Sequence, residues 1–194
     1  MHVESKLARL IPYFGFITPI FGFSVILLAV SSAPWFSWTE NALSDLGVFG
    51  LSAVIFNNGL IITAAMMMVF CVGIWKLVGG DMMGRSGAVL FLLAATFLVG
   101  IGAFPETAGR IHYYVSVGFF VSMPLSLFAM AVYMLRRGMK RLGLLTLALG
   151  GFAAFVWTPN WDGVAIPEAL SALAVGAWTT VMGSRMLVEK QGAS

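Results

Sequence analysis

The residues able to do chemistry in this chain are few and fall into three short clusters. The first is Asn41, Ser44 and Asp45, within Pro34-Trp-Phe-Ser-Trp-Thr-Glu-Asn-Ala-Leu-Ser-Asp-Leu-Gly47. If Glu40 to Leu46 is helical, those three share one polar face at i, i+3 and i+4, with Leu43 and Leu46 turned away from it. The plainer alternative is that Ser44 and Asp45 cap the helix that follows. The second cluster is Asn57 and Asn58, six to seven residues into an apolar run, about 9–10 Å along a helix at 1.5 Å per residue. Amides at that depth need partners, either across helices or in a polar cavity. The third is Glu106, Arg110 and His112, in Phe104-Pro-Glu-Thr-Ala-Gly-Arg-Ile-His-Tyr-Tyr114. Glu106 and Arg110 stand at i, i+4 and are expected to pair. The sharper reading gives Arg110 an anion, since its planar fork matches carboxylate and phosphate.

Positioning those clusters falls to apolar segments. The chain has 194 residues, 60% of them hydrophobic and 10% charged. A soluble domain carries about 25% charged residues, so this is a membrane composition. Six apolar runs predict six transmembrane helices: Leu10 to Val30, Leu51 to Val78, Ser86 to Phe104, Ile111 to Leu135, Leu142 to Trp157 and Pro167 to Val188. Pro12 suits the first turns of the first run, whereas Pro19 should kink it and Pro124 lies near the middle of the fourth. The first run exceeds a usual signal-peptide core and is read as a retained helix. The expected fold is all-α: one compact six-helix membrane domain over residues 1–194, with a short interfacial helix in the first outer loop.

All Lys and Arg residues except Arg110 fall on one side of these spans. By the positive-inside rule that side is cytoplasmic, with both termini inside and the three clusters toward the outer face. Glu40, Asp45, Glu106, Asp162 and Glu168 lean outward, against Glu4, Asp81 and Glu189 inside. Trp35, Trp38, Trp157 and Trp161 fit an interfacial aromatic belt. The basic residues suit a lipid surface, and no nucleic-acid partner is expected.

Other chemistry is argued against. His2 and His112 lie on opposite sides, so a bis-His haem in the bundle is implausible. Every Lys sits at a cytoplasmic end, and there is no phosphate loop or nucleophile elbow. A metal would need His112 with Asp45 and Glu106 or Glu40, a thin ligand set. No cofactor or metal is expected. A Ser44–His112–Asp45 triad has the right residue types, but adjacent Ser and Asp rarely serve one His. Cys71 lies inside a span as a small packing residue. Ala172, Gly176, Thr180 and Ser184 form a small-residue stripe on the last span, which would suit close helix packing or a homo-oligomer. A faint echo relates Asn41-Ala-Leu-Ser-Asp-Leu-Gly-Val to Glu168-Ala-Leu-Ser-Ala-Leu-Ala-Val.

Asn41-Ala-Leu-Ser-Asp-Leu-Gly47, Phe56-Asn57, Gly102-Ala-Phe-Pro-Glu106 and Ile111-His112 occur in that order. On these motifs the chain resembles the prokaryotic six-helix membrane family catalogued as domain of unknown function 998, over roughly residues 10 to 188. There a Ser-x-Leu-Gly loop precedes an Asn-bearing helix, and a Gly-x-Phe-Pro turn leads to a His. The resemblance implies the six-helix fold, carries no settled activity, and favours Asn41, Ser44, Asp45, Asn57, Glu106 and His112 as one site. The expected function is binding or translocation of a small polar molecule or lipid head group there, with Arg110 adding a cation. The alternatives are an intramembrane lipid hydrolase using His112 and Asp45, with or without a metal, and a structural subunit of a membrane complex.

Overall fold

Among the described residues there are six α-helices, with three short 3-10 segments between or before them. The computed structural model describes residues 9–191, and among these there is no strand. The helices are α1 (Phe14–Ser31), α2 (Gly50–Val78), α3 (Met82–Ala103), α4 (Arg110–Arg136), α5 (Lys140–Phe155) and α6 (Ala165–Gln191). The 3-10 turns are Ile11–Tyr13, Leu43–Gly47 and Glu106–Ala108. Five of the six are long and apolar enough to cross a membrane. The exception is α5, whose 16 residues reach about 24 Å at 1.5 Å per residue. That falls short of a hydrocarbon core of about 30 Å. Expected and observed helices agree to within a few residues. α1 and α4 run on as α-helix through Pro19 and Pro124. Lys6, His2 and Glu4 lie outside the described residues.

Apolar side chains face both ways, as a lipid-bathed bundle requires. Ile20, Leu51, Val54 and Phe155 are exposed, although each lies in a helix. On a soluble protein so much open apolar surface would be a liability. Inside, one half of the bundle is filled by large rings. Phe70 meets Phe91 edge-on at 6.3 Å between centroids, and Phe91 meets Trp178 at 5.7 Å. Met130, Met134 and Met182 are fully buried in the same core. The Cys71 thiol donates to the Ala88 carbonyl at 3.2 Å, tying α2 to α3.

The small-residue stripe on α6 lies against α1 of the same chain. The Thr180 hydroxyl donates to the carbonyls of Gly176 at 2.8 Å and Gly15 at 3.4 Å. A Cβ on Gly176 would stand 2.9 Å from that of Pro19. Absent side chains here let the two backbones approach.

Candidate functional site

At one end of the bundle the connections 32–49, 104–109 and 156–164 come together. Residues 43–47 form a 3-10 turn, where an α-helix from Glu40 was expected. Ala42 is extended, at φ −90° and ψ 155°, so no helix runs through it from Glu40. The Asp45 carboxylate accepts the Ala42 N–H at 2.9 Å and the Asn41 amide at 2.8 Å. Glu168, from the start of α6, accepts the Leu43 N–H at 2.6 Å. Asn41 Oδ1 in turn accepts the Ser37 N–H at 2.9 Å. Asn41 and Asp45 therefore do meet, through a loop. Leu43 and Leu46 turn into the bundle core, and Ser44 is buried beside them. Neither Ser44 nor Asp45 caps α2, whose N-cap is Phe49 with no side-chain bond.

The 3-10 turn is pinned from below. Asn57 Nδ2 donates to the Gly47 carbonyl at 2.9 Å, satisfying a polar group that lipid could not. Its neighbour Asn58 is exposed and bonds back to Val54 of its own helix. So Asn57 positions the loop, with one of its two amide N–H groups given to it. A lateral tie comes from the Ala165 N–H, which donates to the Asn41 carbonyl at 2.9 Å. The two segments of the sequence echo thus touch each other, at Leu43 with Glu168.

His112 sits buried in the first turns of α4. Its Nδ1 is 2.8 Å from the Phe104 carbonyl, which can only accept, so Nδ1 carries the proton. Its Nε2 faces the Ser116 hydroxyl at 3.2 Å. A backbone carbonyl therefore orients the imidazole. Ser116 was missed, although it lies at i+4 from His112, where helix neighbours meet.

Two carboxyls face each other across the 3-10 turns. Partial burial pushes the Asp45 carboxyl up. Contact with Glu106, the Ala42 N–H, the Asn41 amide and the charge of His112 outweigh this and hold it below the usual carboxylate value. The same contact, with burial and the Asp45 charge, pushes Glu106 up to about 7. Two acids in reach of one another do not both ionise freely, so of this pair Glu106 is the one whose protonation is favoured.

Arg110 does not join them. It is exposed, and the sole ion pair among the described residues is Arg185 with Glu189. The reason is local: Glu106 belongs to a 3-10 turn, and Gly109 breaks the chain at φ +65° before α4 begins. The i, i+4 geometry of a continuous helix never forms. Nor do any three His, Cys, Asp or Glu side chains among the described residues converge as metal ligands.

Ser44, Glu106, His112, Ser116 and Glu168 line an open groove of about 590 Å³. Beneath it lies an almost wholly apolar slot of about 120 Å³, walled by α1, α2, α3, α4 and α6. Ser44, Ser116, Phe120 and Glu168 line both spaces and form the boundary between them. From Glu168 to Thr179 the slot follows α6 for about 16 Å, half of a hydrocarbon core about 30 Å thick. At its deep end the buried Thr18 hydroxyl has no hydrogen-bond partner. Glu168 was not expected at the site. A carboxyl in an apolar span was the available signal.

Fold and site together define a helical membrane protein with a groove that carries a few polar side chains and opens on an apolar slot. Residues 16–185 match the family described as Protein of unknown function (DUF998), and the chain belongs to that family. No curated protein and no solved structure matches it.

Proposed function

We propose that the protein binds an amphiphilic lipid, with its head group in the groove and one hydrocarbon chain in the slot. The observation that carries this reading is the shared boundary at Ser44, Ser116, Phe120 and Glu168. A small polar solute would need the groove alone. An apolar slot one chain wide, opening directly under polar side chains, suits a molecule with both characters. Passage across the membrane is less well supported, because Phe70, Phe91 and Trp178 fill the bundle beyond the slot. The positive-inside pattern supports a groove at the outer face of a prokaryotic cell membrane, with both termini inside.

Val175 lines the slot and is buried. Val175→Phe should fill it, costing the ligand-free protein about 1–3 kcal/mol through overpacking. Wild-type protein is expected to melt several degrees higher with a single-chain phospholipid, and the variant to show no such rise. Full lipid stabilisation of a folded Val175→Phe protein would sink the reading.

A second reading, an acyl-ester hydrolase, is favoured by the Ser116–His112 contact at the mouth of the slot. There Ser116 Oγ would attack the ester carbonyl and pass its proton through His112 Nε2 to the leaving alkoxide. Water would then release the acid. Ser116→Ala separates the two: under this reading fatty-acid release by purified protein disappears while lipid stabilisation stays.

A further inference from the structure

The groove carries two carboxyls, aromatic rings and the His112 imidazole, but no Lys or Arg. Glu106 and Glu168 line it, together with Tyr113, Phe120 and Trp157, and no Lys or Arg does. Glu168 is only 9% exposed. Its carboxyl accepts the Leu43 N–H through Oε2 at 2.6 Å, and its side chain lines the groove. A carboxyl withdrawn from water and lacking a cation is an incomplete arrangement. Among the described residues no Lys or Arg lines the groove to complete it, and Arg110 lies off it.

The facing wall fits a cation equally well. The rings of Phe120 and Trp157 lie 4.7 Å apart at 58°. The Trp157 indole N–H is committed to the Ser171 hydroxyl at 3.0 Å, so what Trp157 gives the groove is ring surface. Aromatic faces attract ammonium groups through their quadrupole, more strongly where water is excluded. Carboxylates add charge-assisted hydrogen bonds to the same group. A phosphate monoester would meet like charge on one side and ring surface on the other.

We propose that the groove selects an ammonium-bearing head group, held between Glu106 and Glu168 against Tyr113, Phe120 and Trp157, with its chain in the slot. The inference rests on the amphiphile-binding reading and narrows its ligand to amine lipids.

The test uses the full chain in non-ionic detergent and follows its melting midpoint. The probes are lysophosphatidylethanolamine, lysophosphatidic acid with the same acyl chain, and free ethanolamine. The amine lipid is expected to raise the midpoint by several degrees and to bind about tenfold more tightly than the acid, a difference of about 1.4 kcal/mol. Glu168→Gln, which keeps an acceptor for Leu43, should erase that preference, as should Glu106→Gln, which disturbs no backbone bond. Arg110→Ala should leave it unchanged. Equal or greater stabilisation by lysophosphatidic acid, indifferent to both glutamines, would overturn the ammonium inference and leave lipid binding standing. No stabilisation by either lipid would overturn lipid binding itself. A shift from ethanolamine alone as large as the lipid's would also overturn the proposal, since the slot would then contribute nothing.

Discussion

Gly163→Ala is expected to lower stability by about 1–3 kcal/mol, toward the upper end because backbone opposes it. Gly163 lies in the connection between α5 and α6. A Cβ there would run into the Glu40 carbonyl carbon and stand 2.6 Å and 2.7 Å from the nitrogen and oxygen of Asn41. A flexible side chain could swing aside, but these are main-chain atoms. Relief requires the two connections to separate. That breaks the bond from the Ala165 N–H to the Asn41 carbonyl and draws Glu168 away from Leu43. Loss of lipid stabilisation should accompany the loss of melting temperature. Gly151→Ala in α5 is the control: nothing lies within 4 Å of its Cβ, and a helical alanine gains up to about 1 kcal/mol over glycine. A Gly163→Ala protein that melts with the wild type would show that the two connections are not packed as described.

The second large effect concerns Asn57 and Gly47. Asn57→Ala leaves the Gly47 carbonyl buried with no donor, which costs about 1–3 kcal/mol. Gly47→Ala reaches the same end from the other side, because its Cβ would collide with Asn57 Oδ1 and force the amide off. Both variants remove one interaction, so the double variant should lose little more than either single one. The expected coupling is at least about 0.5 kcal/mol, the lower range for groups in contact. Thermal or denaturant unfolding of the four proteins measures it. Simple additivity would mean that Asn57 does not hold the turn.

Hydropathy located all six helices, because a membrane helix must be apolar along its whole length and that signal is local. The polar clusters were legible for the same reason: Asn41, Ser44, Asp45, Glu106 and His112 stand out in an apolar chain, and the fold brings them to one end. What was not legible depends on partners distant in sequence. Glu168 and Leu43 are 125 residues apart, and their bond ties the 3-10 turn to α6. Gly163 carries no motif, and its role exists only because another loop lies against it. Arg110 was misjudged because helical spacing was assumed across Gly109, whose positive φ ends that geometry. The slot could not be read at all, since no residue type marks space left between helices.

The central claim is that groove and slot hold one amphiphile. A high-resolution density map of the full chain, extracted with its native lipids, tests it most directly. The account predicts continuous elongated density, with a compact head between Glu106 and Glu168 and a single tail running past Phe120 and Val175 toward Thr18. Side chains collapsed into an empty slot, or ordered water alone in the groove, would contradict it.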